Sequence, residues 1–203
     1  MKILCIGRNY ADHISELKNE RPLEPVIFLK PDTAILKDNE TFYHPNFSND
    51  IHHEVEIVLK INKVGKNIET KFAHKYYDEI GVGIDFTARD LQSKLKEKGL
   101  PWEKAKAFNG SAPISGFVPK TQFTDLQNLN FHLEVNGEVR QKGNTHLMLW
   151  NFDEIIAEIS KYFTLKTGDL VFTGTPAGVG KVVVGDRLTA FIEGNEMMSF
   201  EVK

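Results

Sequence analysis

Residues 52–57 read HHEVEI, and this short stretch offers two kinds of metal chemistry. His52 and His53 carry the nitrogen donors that zinc and other transition metals take. Glu54 and Glu56 carry the hard oxygen donors that magnesium or calcium takes. The segment 54–61, EVEIVLKI, alternates with period two, which predicts a half-buried strand. Side chains two apart on a strand share a face. Glu54 and Glu56 therefore point together, and Val55, Ile57, Leu59 and Ile61 point the other way into a core. Two neighbouring carboxylates repel unless a cation or solvent stands between them, and glutamate is depleted in strands. A hard divalent cation is one reason for the pair. A solvent-facing strand with two exposed glutamates is the other. Adjacent histidines face opposite sides, so the two do not easily reach one ion. His52 would share the glutamate face if the strand extends that far.

Further residues fit the same chemistry. Asp85 ends the apolar run GVGI just before a predicted helix, where an acid serves either as a third oxygen ligand or as an N-cap. Three carboxylates with open water positions suit octahedral Mg²⁺ or Mn²⁺. In GRNYADHISEL, His13 and Glu16 stand at i, i+3, neighbours on a helix. A carboxylate beside an imidazole orients it and raises its pKa, giving a general base for water, although such pairs are also common on plain helix surfaces. Arg8 and Asn9, directly after a strand, could bind an anion or a structural carboxylate. The glycine-rich TGTPAGVGK (173–181) fails the P-loop pattern: Thr175 stands where glycine is required, and Val182 follows the lysine in place of Ser or Thr. GxGxxG is absent too, which argues against ATP and NAD. Threonine hydroxyls and free backbone N–H groups in such a loop can still hold a carboxylate. Lys106 could add a positive charge, with a surface lysine as the alternative.

The elements that must position these residues are mostly strands. KILCI (2–6), PVIFLK (25–30), AILK (34–37), EIGVGIDFTA (79–88), DLVFTG (169–174), DRLTAFIEG (186–194) and MSFEVK (198–203) read as strands. NFHLEVNGEVRQ (130–141) reads as a hairpin, because Asn136-Gly137 between alternating runs signals a type I′ turn. Helices are predicted over 10–18, from Ala88 to a stop at Gly99, and over 151–163 with Asn151 as N-cap. Strands outnumber helices without regular alternation, so the fold class is α+β and β-rich.

Composition sets outer limits. The chain has 203 residues, 41% hydrophobic and 26% charged, with a net charge of −3, an ordinary globular profile. Nothing in it marks a nucleic-acid or membrane partner. KLKEKG (94–99) reads as a solvated helix face. Cys5 is the single cysteine, so no intramolecular disulfide forms, and a reducing, cytoplasmic setting is expected. MKILCIG has too few apolar residues before Gly7 and Arg8 for a signal-peptide core.

Six ordered blocks, CIGRNYADHISEL, HHEVEIVLKI, GVGIDFTARDLQ, KGLPWEKAKAFNGSAPIS, GDLVFTGTPAGVG and GDRL, resemble the motifs of the fumarylacetoacetate hydrolase (FAH) family. The likeness is to its short acylpyruvase and oxaloacetate decarboxylase branch, and it spans residues 5 to about 190. It implies a mixed β-roll with a few short helices, a single catalytic domain over 1–203, and a homodimer. It implies Mg²⁺ or Mn²⁺ held by Glu54, Glu56 and Asp85. It implies that His13 and Glu16 form a water-activating dyad on a lid, and that Lys106 lies near the substrate oxygens. Thr175 matches the threonine that holds the substrate carboxylate. Arg8 and Gln92 are the further substrate contacts, while Arg89 could be purely structural. The activity implied is carbon–carbon cleavage in a small 2-oxo acid through a pyruvate enolate, by acylpyruvate hydrolysis, oxaloacetate decarboxylation or both. An isomerase of a 2-hydroxy-dienedioate and a non-catalytic 2-oxo-acid binder are the alternatives.

Overall fold

The computed structural model describes residues 1–16, 20–37 and 39–203. Its centre is a six-stranded mixed sheet. The strand order is Ile27–Pro31, Lys2–Ile6, Leu170–Phe172, Val55–Ile61, Tyr77–Ile84 and Val118–Pro119. Lys2–Ile6 and Leu170–Phe172 run parallel, and the other pairs are antiparallel. A four-stranded antiparallel sheet (Glu138–Asn144, Asn130–Val135, Arg187–Ile192, Asn195–Glu201) carries the predicted hairpin. Asn136 and Gly137 have φ of 55° and 79°, the left-handed pair a type I′ turn requires. Two smaller sheets complete a strand-rich α+β fold with few, short helices. No helix among the described residues is long and apolar enough to cross a membrane.

The Val55–Ile61 strand decides what lies on each side of the central sheet. It is buried on both faces, not half-buried as its alternation suggests. Val55, Ile57, Leu59 and Ile61 enter the main core with Ile80, Val82, Phe131 and Ile156. On the other face Val58 packs with Ile3, Cys5, Leu170 and Phe172 in a second apolar cluster. Glu56 lies on that face too, one alternation from Val58. Gly83 pairs with Glu56 across the sheet, and a Cβ there would lie 2.6 Å from the Phe172 ring. Gly83 therefore lets the Phe172 ring close on the sheet beside the carboxylates.

The predicted helix over 151–163 is Phe152–Tyr162. Asn151 caps it, and Glu154 completes a reciprocal capping box. The predicted helix over 10–18 is seen as Ala11–Glu16, and residues 17 and 18 lie outside the described residues. The predicted strand at 34–37 shrinks to Ile35–Leu36, because Asp32–Ala34 form a 3₁₀ turn. The long strand expected at 79–88 is two: Tyr77–Ile84 and Thr87–Ala88. It breaks at Asp85, whose N–H donates to Glu54 O, and at Phe86, whose N–H donates to Ser111 O.

Candidate functional site

Glu54 stands in the gap between the Ile51–His53 and Val55–Ile61 strands, and Asp85 in the matching gap across the pair. The Asp85 N–H to Glu54 O bond of 2.8 Å ties the two breaks together. Glu54 and Asp85 stand opposite each other just beyond the Val55–Ile84 pair, so alternation sets both on the face of Glu56. One oxygen of each of Glu54, Glu56 and Asp85 lies within 4.8 Å of the others, and all three residues are at most 5% exposed. This excludes the solvent-facing strand as the explanation of the glutamate pair, and makes Asp85 more than a cap.

Three cations enclose the cluster. Lys106 Nζ lies 2.8 Å from Glu54 Oε2 and 2.6 Å from Asp85 Oδ2. Arg89 pairs with Glu54 Oε1. Lys30 Nζ lies 2.8 Å from Asp85 Oδ1 and donates to Ser111 O at 2.8 Å and Ser111 Oγ at 2.9 Å. Lys106 is thus no surface lysine: it is 4% exposed, at the end of the Glu103–Lys106 helix. The Arg89 guanidinium joins the Glu54 carboxylate to Gln92 Oε1, 2.7 Å away.

The electrostatics follow from this crowding. Burial works against the Glu54 charge, but Lys106 and Arg89 outweigh it and hold the carboxyl well below the usual range. Burial, then the charge of Asp85, push Glu56 well above that range, although the Gly174 N–H donates to Glu56 Oε2 at 2.6 Å. A cation among the three is what would hold all of them ionised. Burial opposes the Lys106 charge, yet Asp85 and Glu54 prevail and raise its pKa. The donor set is carboxylate oxygen alone, which fits Mg²⁺ or Mn²⁺ better than zinc.

Neither histidine of HHEVEI joins the cluster. His52 Nε2 lies 3.0 Å from Asp50 Oδ1, and His53 Nδ1 lies 2.8 Å from Gln141 Oε1. His13 is the histidine near the acids. It is 4% exposed, with Nδ1 3.4 Å from Glu16 Oε2. Sequence reasoning assigns Glu16 a pKa-raising effect, and it has one, but burial prevails and lowers the His13 pKa below its ordinary value. The imidazole is therefore neutral near pH 7, with Nδ1 turned to Glu16 and Nε2 left to accept a proton. Glu16 also accepts from the Gly178 N–H at 3.1 Å (Oε1) and 3.2 Å (Oε2), which ties the helix to the glycine-rich loop.

That loop starts at a fixed point. Asn9, fully buried, donates to Thr173 O at 2.8 Å and Trp150 O at 3.0 Å, and its Oδ1 accepts from the Trp150 N–H. Gly174 has φ of +105°, and a Cβ there would lie 2.6 Å from Asn9 Cβ. Only glycine allows the loop to turn its N–H onto Glu56. Thr175, the next residue, is 4% exposed. Arg8, His13, Glu54, Arg89, Gln92 and Lys106 line one cleft, with about 30 Å³ accessible to water. A pocket of about 480 Å³ beside it shares Phe28, Trp102 and Lys106. The sequence offers Asn9 as an anion or carboxylate contact, whereas its side chain is taken up by backbone groups of Trp150 and Thr173; Lys30 and Gln141 are not singled out by the sequence at all. The signal available for Lys30 was a lysine inside the apolar run PVIFLK.

Comparison with known proteins agrees with this fold. The family model of the fumarylacetoacetate hydrolase C-terminal domain matches residues 2–203. Oxaloacetate tautomerase YcgM of Escherichia coli K12 is 45% identical over 197 residues, 97% of this chain and 90% of the relative. The mitochondrial oxaloacetate decarboxylase of Dictyostelium discoideum is 43% identical over 203 residues, covering 99% of this chain and 93% of its own. The crystal structure of fumarylpyruvate hydrolase from Pseudomonas aeruginosa, in complex with Mn²⁺ and pyruvate, superposes with a TM-score of 0.94 at 37% identity. It covers all of this chain and 89% of that one.

Proposed function

The chain belongs to the fumarylacetoacetate hydrolase family, and on that premise we propose a divalent-metal-dependent enzyme that cleaves a carbon–carbon bond in a small 2-oxo acid. The supporting observation is the enclosed Glu54–Glu56–Asp85 cluster, with a neutral His13 lining the cleft that Glu54 also lines. Mg²⁺ or Mn²⁺ held by the three carboxylates would supply Lewis acidity to the keto and carboxylate oxygens of such an acid and stabilise enolate charge. With all three acids ionised, Lys30, Lys106 and Arg89 balance them charge for charge. A bound divalent ion then leaves a positive surplus that suits a dianionic 2-oxo diacid.

The protein's own groups divide the remaining work. Lys106 keeps its proton and opposes the negative charge that develops on the pyruvate portion. Arg8, Gln92 and Thr175 hold the substrate carboxylates. For an acylpyruvate, His13 Nε2 takes a proton from water as the oxygen attacks the distal carbonyl, with Glu16 on Nδ1 steadying the imidazolium; the bond from that carbon to C3 then breaks, releasing the second acid and a pyruvate enolate that takes a proton at C3. For oxaloacetate no water is needed, because loss of CO₂ leaves the same enolate. A second reading has support in the name of the E. coli relative: a tautomerase would use the enolate only to move a proton. A homodimer of single catalytic domains over 1–203 completes the proposal.

The deciding experiment is a Mg²⁺-dependent activity panel of acylpyruvates, oxaloacetate and dienoate diacids with product identification. Pyruvate plus a second acid, or pyruvate plus CO₂, is expected. Proton exchange alone, with no cleavage of any substrate, would sink the cleavage reading in favour of the tautomerase.

A further inference from the structure

Gln141 lies on the Glu138–Asn144 strand and is 1% exposed. Its neighbour Arg140 is an extra residue in the ladder, since Leu133 pairs with Gln141 and Glu134 with Val139. This bulge re-aims the Gln141 side chain toward the site. Both ends of its amide are assigned by backbone groups that leave no choice. Oε1 lies 3.0 Å from the Val55 N–H, which only donates, and Nε2 lies 2.9 Å from Pro176 O, which only accepts. A flipped amide would set donor on donor and acceptor on acceptor.

The fixed amide then fixes two side chains. Its Oε1 also lies 2.8 Å from His53 Nδ1, so that nitrogen carries the proton. Its Nε2 also lies 2.8 Å from Thr175 Oγ1, so the threonine oxygen accepts there. A hydroxyl that accepts from a fixed donor keeps its own proton free to give away. No hydrogen bond from the Thr175 hydroxyl to another described residue competes for that proton. The two groups on Oε1 also flank Glu54 in the chain, and Thr175 follows the Gly174 N–H that holds Glu56.

We propose that Gln141 is a positioning residue. It forces Thr175 to act as a hydrogen-bond donor to a carboxylate, and it locks that donor in register with the strand carrying the metal ligands. This rests on the reading of Thr175 as a substrate-carboxylate contact. Gln141→Glu keeps the shape and the acceptor for Val55, but it offers Thr175 no N–H. The hydroxyl then donates to the new carboxylate and is lost to the ligand.

The test is a double-mutant cycle read by calorimetry, with oxalate as the probe in saturating Mg²⁺. Thr175→Val alone should weaken oxalate binding roughly ten- to a hundredfold, the usual worth of a hydrogen bond to a charged group. Gln141→Glu alone should weaken it comparably. Thr175→Val added to Gln141→Glu should cost less than about twofold more, because the interaction is already gone. Gln141→Met, of similar length and without polar atoms, supplies a second background if the carboxylate prevents folding, and thermal unfolding of each variant checks the fold. A full Thr175→Val penalty in both Gln141 backgrounds would overturn the positioning role. Unchanged oxalate affinity in Thr175→Val alone would instead remove the Thr175 contact beneath it, while leaving the Mg²⁺ site standing.

Discussion

The two halves of the candidate site are built to different standards. The carboxylate half hangs on the central sheet: Glu56 is inside a strand with neighbours on both sides, and Glu54 and Asp85 are held by paired strand breaks. Three buried or nearly buried cations bind it from separate elements. The base half rides on the six-residue Ala11–Glu16 helix, too short to be stable alone. Among the described residues, Glu16 reaches the glycine-rich loop through the Gly178 N–H and is one-third exposed, while His13 and Ile14 are buried. The carboxylate cluster is thus part of the central sheet, while His13 and Glu16 sit on a short element beside it. Under the proposed mechanism hydrolysis needs both halves and decarboxylation only the first, so the two should break separately.

The largest expected effect comes from the attached half. His13→Ala should lower acylpyruvate hydrolysis about 10²- to 10⁴-fold, the usual worth of a general base. Oxaloacetate decarboxylation and Mg²⁺ affinity should change far less. Equal losses in both reactions, measured by steady-state kinetics, would erase the distinction.

The built-in half should show itself as stability. Lys30→Met removes a buried partner of Asp85 and should cost about 3 kcal/mol in urea unfolding. Glu16→Gln, on the exposed side of the comparison, should cost well under that. If the two variants unfolded at the same urea concentration, the contrast would fail.

A smaller effect is expected in pH. Burial lowers the His13 pKa, so the base form survives into mildly acidic solution, and the acid limb of hydrolysis should fall below the ordinary histidine value near 6.5. Glu16 raises that pKa, so Glu16→Gln should move the limb further down, and an upward move in the pH–rate profile would contradict the assignment. The linked stability has the same sense. At His13 the folded state binds fewer protons than the unfolded chain, so this stability is present above the ordinary value and is lost as pH falls from there through the lowered folded-state pKa.

The smallest effect lies outside both halves. Asn151→Ala removes a capping box and should cost about 1 kcal/mol of stability with kinetics unchanged. A change in kcat/KM there would mean that the site is less insulated than the sheet suggests.

Local signals were legible where chemistry is local. Asn136-Gly137 announces its turn, Asn151 its helix, and the Glu-x-Glu pair followed by Asp85 its carboxylate cluster. What the sequence hid depends on distant partners. Lys30 looks like the end of an apolar strand until the fold brings Asp85 onto it. Gln141 looks like one polar residue in a hairpin until a bulge aims it at Val55 and Thr175. The Val55–Ile61 strand reads as half-buried because its polar face meets a buried site, where alternation alone would place solvent. The direction of the His13 pKa was missed for a related reason: the Glu16 neighbour is visible in the sequence, and the burial that outweighs it is not.

The central claim is that Glu54, Glu56 and Asp85 form one divalent-cation site on which turnover depends. It is tested most directly by titrating Mg²⁺ into the chelator-treated protein and its Glu56→Ala variant by calorimetry, with turnover of oxaloacetate and an acylpyruvate followed in parallel. The account predicts saturable binding that restores activity in the original protein, and neither binding nor turnover in a folded Glu56→Ala variant. Full activity of Glu56→Ala after chelation would contradict it.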